Sequence, residues 1–342
     1  MNQQEKVYIL LVNYHGDTDT IECLESLLSI EYDNYQIIVI DNSNDFKSLD
    51  NMINWAKGGF YDVSTDFDHL VYPLNQKPLS FKVIEEENIL FTKCHESCKI
   101  IFVKSCRNLG FAHANNLGVS YALKRDDYKF IWFLNNDTVV EKDSLNALVC
   151  FSHKSNRRTG IIGSALMNYW HPELLQGVGG TYNKWTGQVK EIGNELNLSL
   201  LKEVRSKLDY IIGASMFVRR DFLIDIGPMD ESLFLYYEEL DWALRGKKSG
   251  WQIDYCLKSK VYHKIGATTR NKIGRPSRIS DFYAVRNRIL ITQKFFPYAL
   301  LTLYPSLLLF IFRRIKLRMF DRVKLLFAIV LNPTKKHWEF FD

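Results

Sequence analysis

No glycine-rich dinucleotide fingerprint follows the first apolar run of this 342-residue chain, where Gly16 stands alone, and no Gly-Lys-Ser/Thr follows the later "CRNLGFAHANN". A nicotinamide dehydrogenase and a phosphate-loop nucleotidase are both disfavoured on that ground. The six cysteines (Cys23, Cys94, Cys98, Cys106, Cys150 and Cys256) are scattered. Cys94 and Cys98 form the closest pair and no second pair stands at zinc-like spacing, which argues against a structural zinc and for reduced thiols in a cytosolic enzyme. Neither sign of charge dominates. With 44 Lys and Arg against 39 Asp and Glu, the net +5 is too weak to point to nucleic acid. "MNQQEKVYILLVNYHGD" has no basic segment leading into a long apolar run, so a secretory signal is not expected. No internal repeat or low-complexity tract occurs.

Hydrophobic residues make up 46% of the chain and aromatics 14%, a globular composition with room for one broad α/β domain or a domain with an appendage. Four apolar runs, Val7 to Val12, Gln36 to Ile40, Lys99 to Val103 and Phe130 to Leu134, suit strands covered on both faces. Helical spacing separates them, in Ile21, Leu24, Leu27 and Leu28 after "GDTDT", and in "ANNLGVSYALKR". This βαβ alternation predicts a mostly parallel sheet. Residues 58–98 break the rhythm and read as an insertion with one hairpin in "LSFKVIEEENILF". Beyond Glu141, "TGIIGSALMN", "LDYIIGASMFVRRD" and "WQIDYCLKSKVYH" read as strands, and "EELDWALRGKKSG" as a helix stopped at Gly250.

In an open parallel sheet ligands bind beyond the carboxyl ends of the strands, and here those ends are repeatedly polar. They are Asn13-Tyr14-His15-Gly16, Asp41-Asn42-Ser43, the "RNLGFAHANN" segment, and Asn135-Asn136-Asp137. Each alone is an ordinary turn; four in order point to a nucleotide crevice. Asp41 suits a ribose or base donor, and backbone groups near Asn13 suit a base edge. Arg107 offers a guanidinium fork to a base carbonyl or phosphate, and Gly110 lets the backbone pass close to a ligand. Without a glycine-rich cradle a diphosphate needs a cation, and Asp137 can give Mg²⁺ or Mn²⁺ a hard oxygen. Glu238, Glu239 and Asp241 open a helix, where acids favour the dipole but can also serve as a general base. Glu238 and Asp241 share one face and Glu239 points elsewhere. His263, in "VYHKIGATT", is by itself a surface histidine; it gains interest if the fold returns it to Asp137.

The order of these pieces resembles the inverting family 2 glycosyltransferases of the GT-A fold, particularly the rhamnosyltransferase-like branch that builds bacterial surface polysaccharides. The resemblance runs from about Val7 to Thr269 through "LLVNYHG", "IIVIDNS", "RNLGFAHANNLG", "FLNNDTVV", the stretch from "IIGASM" to "LRGKKSGW", and "VYHKIG". It implies that Asp137 is the final acid of an Asp-X-Asp metal element, with Asn135 where the first acid often stands, and that His263 completes the metal shell. Glu239 falls where the family carries the catalytic Asp of a Glu-Asp pair, with Glu238 and Asp241 as alternatives. Asn13, Tyr14, Asp41, Arg107, Gly110, Asn135 and Asn136 fall to the nucleotide-sugar, and Gly213 to Met216 to the acceptor side.

The expectation is a GT-A-like α/β domain of Rossmann-like kind over residues 1–275, followed by a helical, basic and apolar region over 276–342. The implied reaction is metal-dependent, inverting transfer of a sugar, with rhamnose a candidate, from a dTDP- or UDP-sugar to a glycan or lipid-linked acceptor. A non-catalytic nucleotide-sugar-binding module is the alternative. In the tail, Tyr298 to Phe312 is interrupted by Pro305 and falls short of the ~20 apolar residues of a spanning helix. Arg313, Arg314, Lys316 and Arg318 follow it directly, which predicts a helix lying on the inner face of the cell membrane. A core helix or a homodimer contact is the alternative for this segment.

Overall fold

The computed structural model describes residues 4–43, 45–59, 61–92, 98–201, 208–264 and 277–334. In chain order its elements are β1 (Val7–Asn13), α1 (Asp17–Leu28), β2 (Tyr35–Asp41), α2 (Lys47–Lys57), α3 (Asp68–Val71), β3 (Phe81–Glu85), β4 (Ile100–Lys104), α4 (Phe111–Arg125), β5 (Phe130–Asn135) and β6 (Thr138–Val140). Then come α5 (Ser144–Lys154), β7 (Thr159–Asn168), β8 (Leu175–Gly177), β9 (Gly180–Asn183), β10 (Gln188–Glu191), β11 (Ser215–Arg219), α6 (Arg220–Ile226), α7 (Glu238–Lys248) and β12 (Gln252–His263). Helices α8 (Arg278–Phe295), α9 (Leu300–Lys316) and α10 (Phe320–Leu331) close the chain.

A ten-stranded sheet runs in the order β3-β4-β2-β1-β5-β11-β7-β12-β6, with β8 paired to β7, and β9 and β10 form a separate hairpin. Its first five strands are all parallel, and the apolar runs of β1, β2, β4 and β5 are buried on both faces, as continuous runs require. Beyond β5 the directions mix: β11 is antiparallel to β5 and β7, and β12 is parallel to β7 but antiparallel to β6. Helix α7 carries its acids in the first turn and Arg245, Lys247 and Lys248 in the last, complementing the dipole, and Gly250 ends it at φ +81°.

Two expectations change in the sheet domain. The expected hairpin in the insertion is instead a single edge strand, β3, parallel to β4 and followed by a 3₁₀ turn at Glu86–Asn88. Alternation marks a half-exposed strand but does not say which way its partner runs. The run "LDYIIGASMFVRRD" is strand only from Ser215, because the chain turns at Gly213 and Ala214. The insertion is pinned by Glu25 of α1, whose buried carboxylate accepts from Trp55 Nε1 (2.9 Å) and the Asn75 N–H (2.8 Å) and pairs with Lys77 (2.5 Å). Cys23, Cys106 and Cys150 are free thiols, and Cys98 Sγ and Cys256 Sγ donate to the carbonyls of Ile100 (3.3 Å) and Ala147 (3.6 Å). Cys94, Gly266 and the expected boundary near residue 275 lie outside the described residues.

The three C-terminal helices share an apolar core that includes Phe282, Val285, Ile289, Leu303, Leu307 and Leu326. Inside it, Asp281 takes two hydrogen bonds from Arg314 (2.7 and 3.1 Å) and one from Arg322 (3.1 Å). Helix α8 also docks on the sheet domain, where Asn287 Nδ2 donates to the carbonyls of Leu233, Leu235 and Tyr236 (2.8, 2.9 and 2.9 Å). The tail is thus one face core and one face exposed. Contrary to the expected interruption, α9 runs through Pro305, and with the 3₁₀ turn before it the stretch Pro297–Lys316 reaches 20 residues, long and apolar enough by length and composition to cross a membrane. Asp281→Asn would leave two nearly buried guanidiniums facing a neutral amide, and breaking such a network costs about 3 kcal/mol. Urea unfolding should show that loss; an unchanged midpoint would mean the network does not hold these helices together.

Candidate active site

Register brings the strand ends to one level, with Asn13 beside Asp41, Val12 beside Asn135, and Asp41 beside Lys104. β2 and β4 lie on one side of β1 and β5 on the other, so the crevice of an open sheet opens where the order reverses. Asn13 organises it. Its Nδ2 donates to Asp41 Oδ1 (2.6 Å) and Ser48 Oγ (2.8 Å), and its Oδ1 accepts from the Gly16 N–H (3.1 Å) and the Thr20 hydroxyl (3.0 Å). Asn136 Nδ2 joins through Thr20 Oγ1 at 2.9 Å. The Asn13 carbonyl accepts from the Asn42 N–H (2.8 Å), and the residue is fully buried.

Asp41 is buried, and its Oδ2 has no partner among the described residues. Burial raises its carboxyl above the usual range, and the hydrogen bonds from Ser43 and Asn13 offset this only in part. Tyr14 and Arg107 are exposed. Gly110 stands at φ +99°, and a Cβ there would come within 2.5 Å of the Phe234 carbonyl oxygen. Its Cα side approaches the chain's own backbone, where the Phe111 N–H donates to Phe234 O (2.8 Å).

β12 returns His263 to the end of β5. Its Nε2 lies 3.2 Å from Asp137 Oδ1 and 3.3 Å from Asn135 Nδ2, and its Nδ1 meets Gln176 Oε1 at 2.7 Å. An acceptor at Nδ1 keeps a proton on that nitrogen, which leaves Nε2 to donate to Asp137 from the charged ring or to offer its lone pair to a cation from the neutral one. Burial disfavours the charged form of Asp137, but His263, the backbone and Lys264 outweigh it and hold the carboxyl below the usual range. Among the described residues no group of three His, Cys, Asp or Glu side chains forms a cation site.

The acids of α7 separate. Glu239 lines a pocket of about 370 Å³ together with Glu191, Tyr210, Ile212 and Tyr237. Burial, with a smaller push from Glu191, raises its carboxyl to about 7. A Cβ on Gly213 would sit 4.0 Å from Glu239 Cδ, and the next residue, Ala214, accepts from the Asn135 N–H (3.0 Å). The turn at Gly213 thus links Glu239 to the triplet that carries Asp137. Glu238 points into the protein, 2% exposed, where burial and the charge of Glu239 push it well up. Asp241 is fully buried between Arg245 (2.7 Å) and Lys294 (2.6 Å). Glu238 and Asp241 do share a face, but it is the inner one, and neither lines the pocket.

No family model matches the chain. It is 24% identical over 204 residues, 58% of its length, to the low-salt glycan biosynthesis hexosyltransferase Agl10 of Haloferax volcanii, and 24% over 197 residues, 55% of its length, to the dTDP-rhamnosyl transferase RfbF of Shigella flexneri. It spans 61% of the length of each of these relatives. It is 23% identical over 243 residues, 66% of its length and 90% of the relative's, to the rhamnosyltransferase WbbL of Escherichia coli K12. Among solved structures, GalNAc-T7 with UDP, GalNAc and Mn²⁺ superimposes with TM-score 0.55 at 15% identity, over 84% of this chain and 48% of that one. The mannosyltransferase PcManGT of Pyrobaculum calidifontis, in complex with GDP-Man and Mn²⁺, gives 0.51 at 12%, over 97% and 88%. The fold is that of the GT-A glycosyltransferases. Within this GT-A frame, Gln176, Glu191 and Tyr210 join the site unannounced by the sequence. They come from the β8 to β10 region and the segment before Gly213, which carry no recurring spacing.

Proposed function

We propose that the protein is an inverting glycosyltransferase that moves a sugar from a nucleoside diphosphate donor to a glycan or lipid-linked acceptor in surface polysaccharide synthesis, with dTDP-rhamnose the candidate donor. The observation that carries the reading is that Glu239, alone of the α7 acids, reaches a pocket and connects through Gly213 and Ala214 to the Asp137 and His263 pair. Relatives named as rhamnosyl- and hexosyltransferases favour transfer over a binding module.

The donor's nucleoside belongs against Asp41, whose free Oδ2 awaits a hydrogen-bond donor, with Tyr14 and Arg107 at the rim. The carboxylate of Asp137 and the Nε2 of a neutral His263, whose Nδ1 meets Gln176, are the groups that would hold Mg²⁺ or Mn²⁺, with Asn135 beside them. A cation there supplies charge neutralisation for the departing diphosphate. On the other side of the sugar, Glu239 takes the proton of the acceptor hydroxyl as that oxygen forms its bond to the anomeric carbon. The bond to the diphosphate oxygen breaks on the opposite face, so one displacement inverts the centre.

The tail supports membrane docking. Leu301, Leu308, Leu309 and Phe312 are exposed on α9, next to Arg313 and Lys316. Spanning is disfavoured because Leu303, Leu307 and Ile311 face the helical core and Arg314 is paired to Asp281. An amphipathic helix in the interface of the anionic inner leaflet satisfies both faces.

Glu239→Gln keeps shape and cannot accept a proton, so transfer should fall ~10²- to 10⁴-fold with donor affinity retained. With the base at about 7, wild-type kcat/KM should rise with pH as the carboxylate ionises and level off above that value. A near-normal rate in Glu239→Gln would remove the assignment. Calorimetric titration of a nucleoside diphosphate should lose its Mn²⁺ dependence in Asp137→Ala and keep part of it in Asn135→Ala; an unchanged Mn²⁺ effect in Asp137→Ala refutes the metal site. The full chain should float with anionic liposomes, and Leu309→Ser/Phe312→Ser, which spares the buried face of α9, should not. Equal flotation of the two proteins would rule out this face as the membrane contact.

A further inference from the structure

The pocket at Glu239 has a second wall that the catalytic reading leaves without a task. Helices α8 and α9 bring Ser280, Arg288, Phe310 and Arg314 to it. The two guanidiniums there differ. Arg314 is engaged by Asp281 through two hydrogen bonds. Arg288 has no carboxylate partner among the described residues: its Nε donates to the Tyr237 hydroxyl (3.2 Å), its guanidinium carbon lies 5.3 Å from the Phe310 ring centroid, and its Nη groups are left over. A guanidinium fork beside tyrosines in a small, partly apolar cavity is suited to an oxyanion that presents two oxygens. Helix α9 shows the pocket one face, with Phe310 and Arg314, and shows solvent another, where Leu309 is 72% and Phe312 55% exposed.

Resting on the glycosyltransferase reading, we propose that this pocket holds the acceptor, that Arg288 binds a phosphate group on it, and that a lipid carries that phosphate, its chain following the exposed face of α9 into the bilayer. Glu239 and Arg288 line one cavity, so the phosphate lies near the attacked hydroxyl and not at the far end of a long glycan. The C-terminal helices then complete the acceptor site as well as meeting the membrane. Arg288 is a positioning residue: it holds the acceptor, and Glu239 does the chemistry.

The test is calorimetric titration of the full chain in EDTA, where no metal-held phosphate site competes, with octyl phosphate, octyl glucoside and inorganic phosphate as probes. Octyl phosphate should bind more tightly than both others. Arg288→Gln should weaken octyl phosphate ~10- to 100-fold, the usual effect of losing hydrogen bonds to a charged group, and leave octyl glucoside unchanged. Arg288→Lys should keep the preference for the phosphate head. Equal octyl phosphate affinity in wild type and Arg288→Gln would overturn the role of Arg288, and inorganic phosphate binding as tightly as octyl phosphate would overturn the lipid. Donor titration with Mn²⁺ on the same proteins separates the two layers. If the donor binds and the octyl phosphate preference is indifferent to Arg288, this inference alone fails; if no donor binds to wild type, the glycosyltransferase reading fails with it.

Discussion

The side-chain amide of Asn13 is the constraint on which the crevice depends. Sitting at the end of the central parallel strand, it satisfies Asp41 with its N–H and takes bonds from Gly16 and Thr20 with its oxygen. Buried polar groups are expensive unless paired, so a network whose members satisfy one another has few alternative arrangements. The loops after β1 and β2 are therefore locked together, and Asn136 brings the loop after β5 to the same point through Thr20. Asp137 is the next residue. The position of the candidate metal ligand is thus inherited from the Asn13 amide.

A comparable division operates in α7, where acids within four positions meet three environments. Glu239 borders the pocket and is raised to about 7, in range for a base at neutral pH. Glu238 is buried and pushed well up, and Asp241 is held between Arg245 and Lys294. The last pairing joins α7 to α8, so Asp241 helps fix the helix that carries Arg288.

The C-terminal helices were expected as an appendage, yet Asn287 binds three carbonyls in the loop before α7, and the side chains of α8 and α9 line the pocket at Glu239. The proposed membrane contact on the outer face of α9 and the proposed acceptor contact on the inner one would therefore fall on one set of helices, which Asp281, Arg314 and Arg322 tie together.

The parallel half of the sheet was readable from residue order alone, since strands buried on both faces must be written as continuous apolar runs, and those four runs match β1, β2, β4 and β5 to within about a residue. The polar strand ends, Asp137 and the acids of α7 were readable for the same reason: each interrupts a pattern. The direction of β3 was not, because an exposed edge strand alternates alike whichever way its neighbour runs. Nor was the choice among Glu238, Glu239 and Asp241, which rests on what packs against each face of one helix. Gln176 and His263 are 87 positions apart, and Tyr237 and Arg288 are 51 apart. Local periodicity records how a segment is buried but not which distant segment buries it, so the orientation of His263 and the second wall of the pocket came into being only when the chain closed on itself.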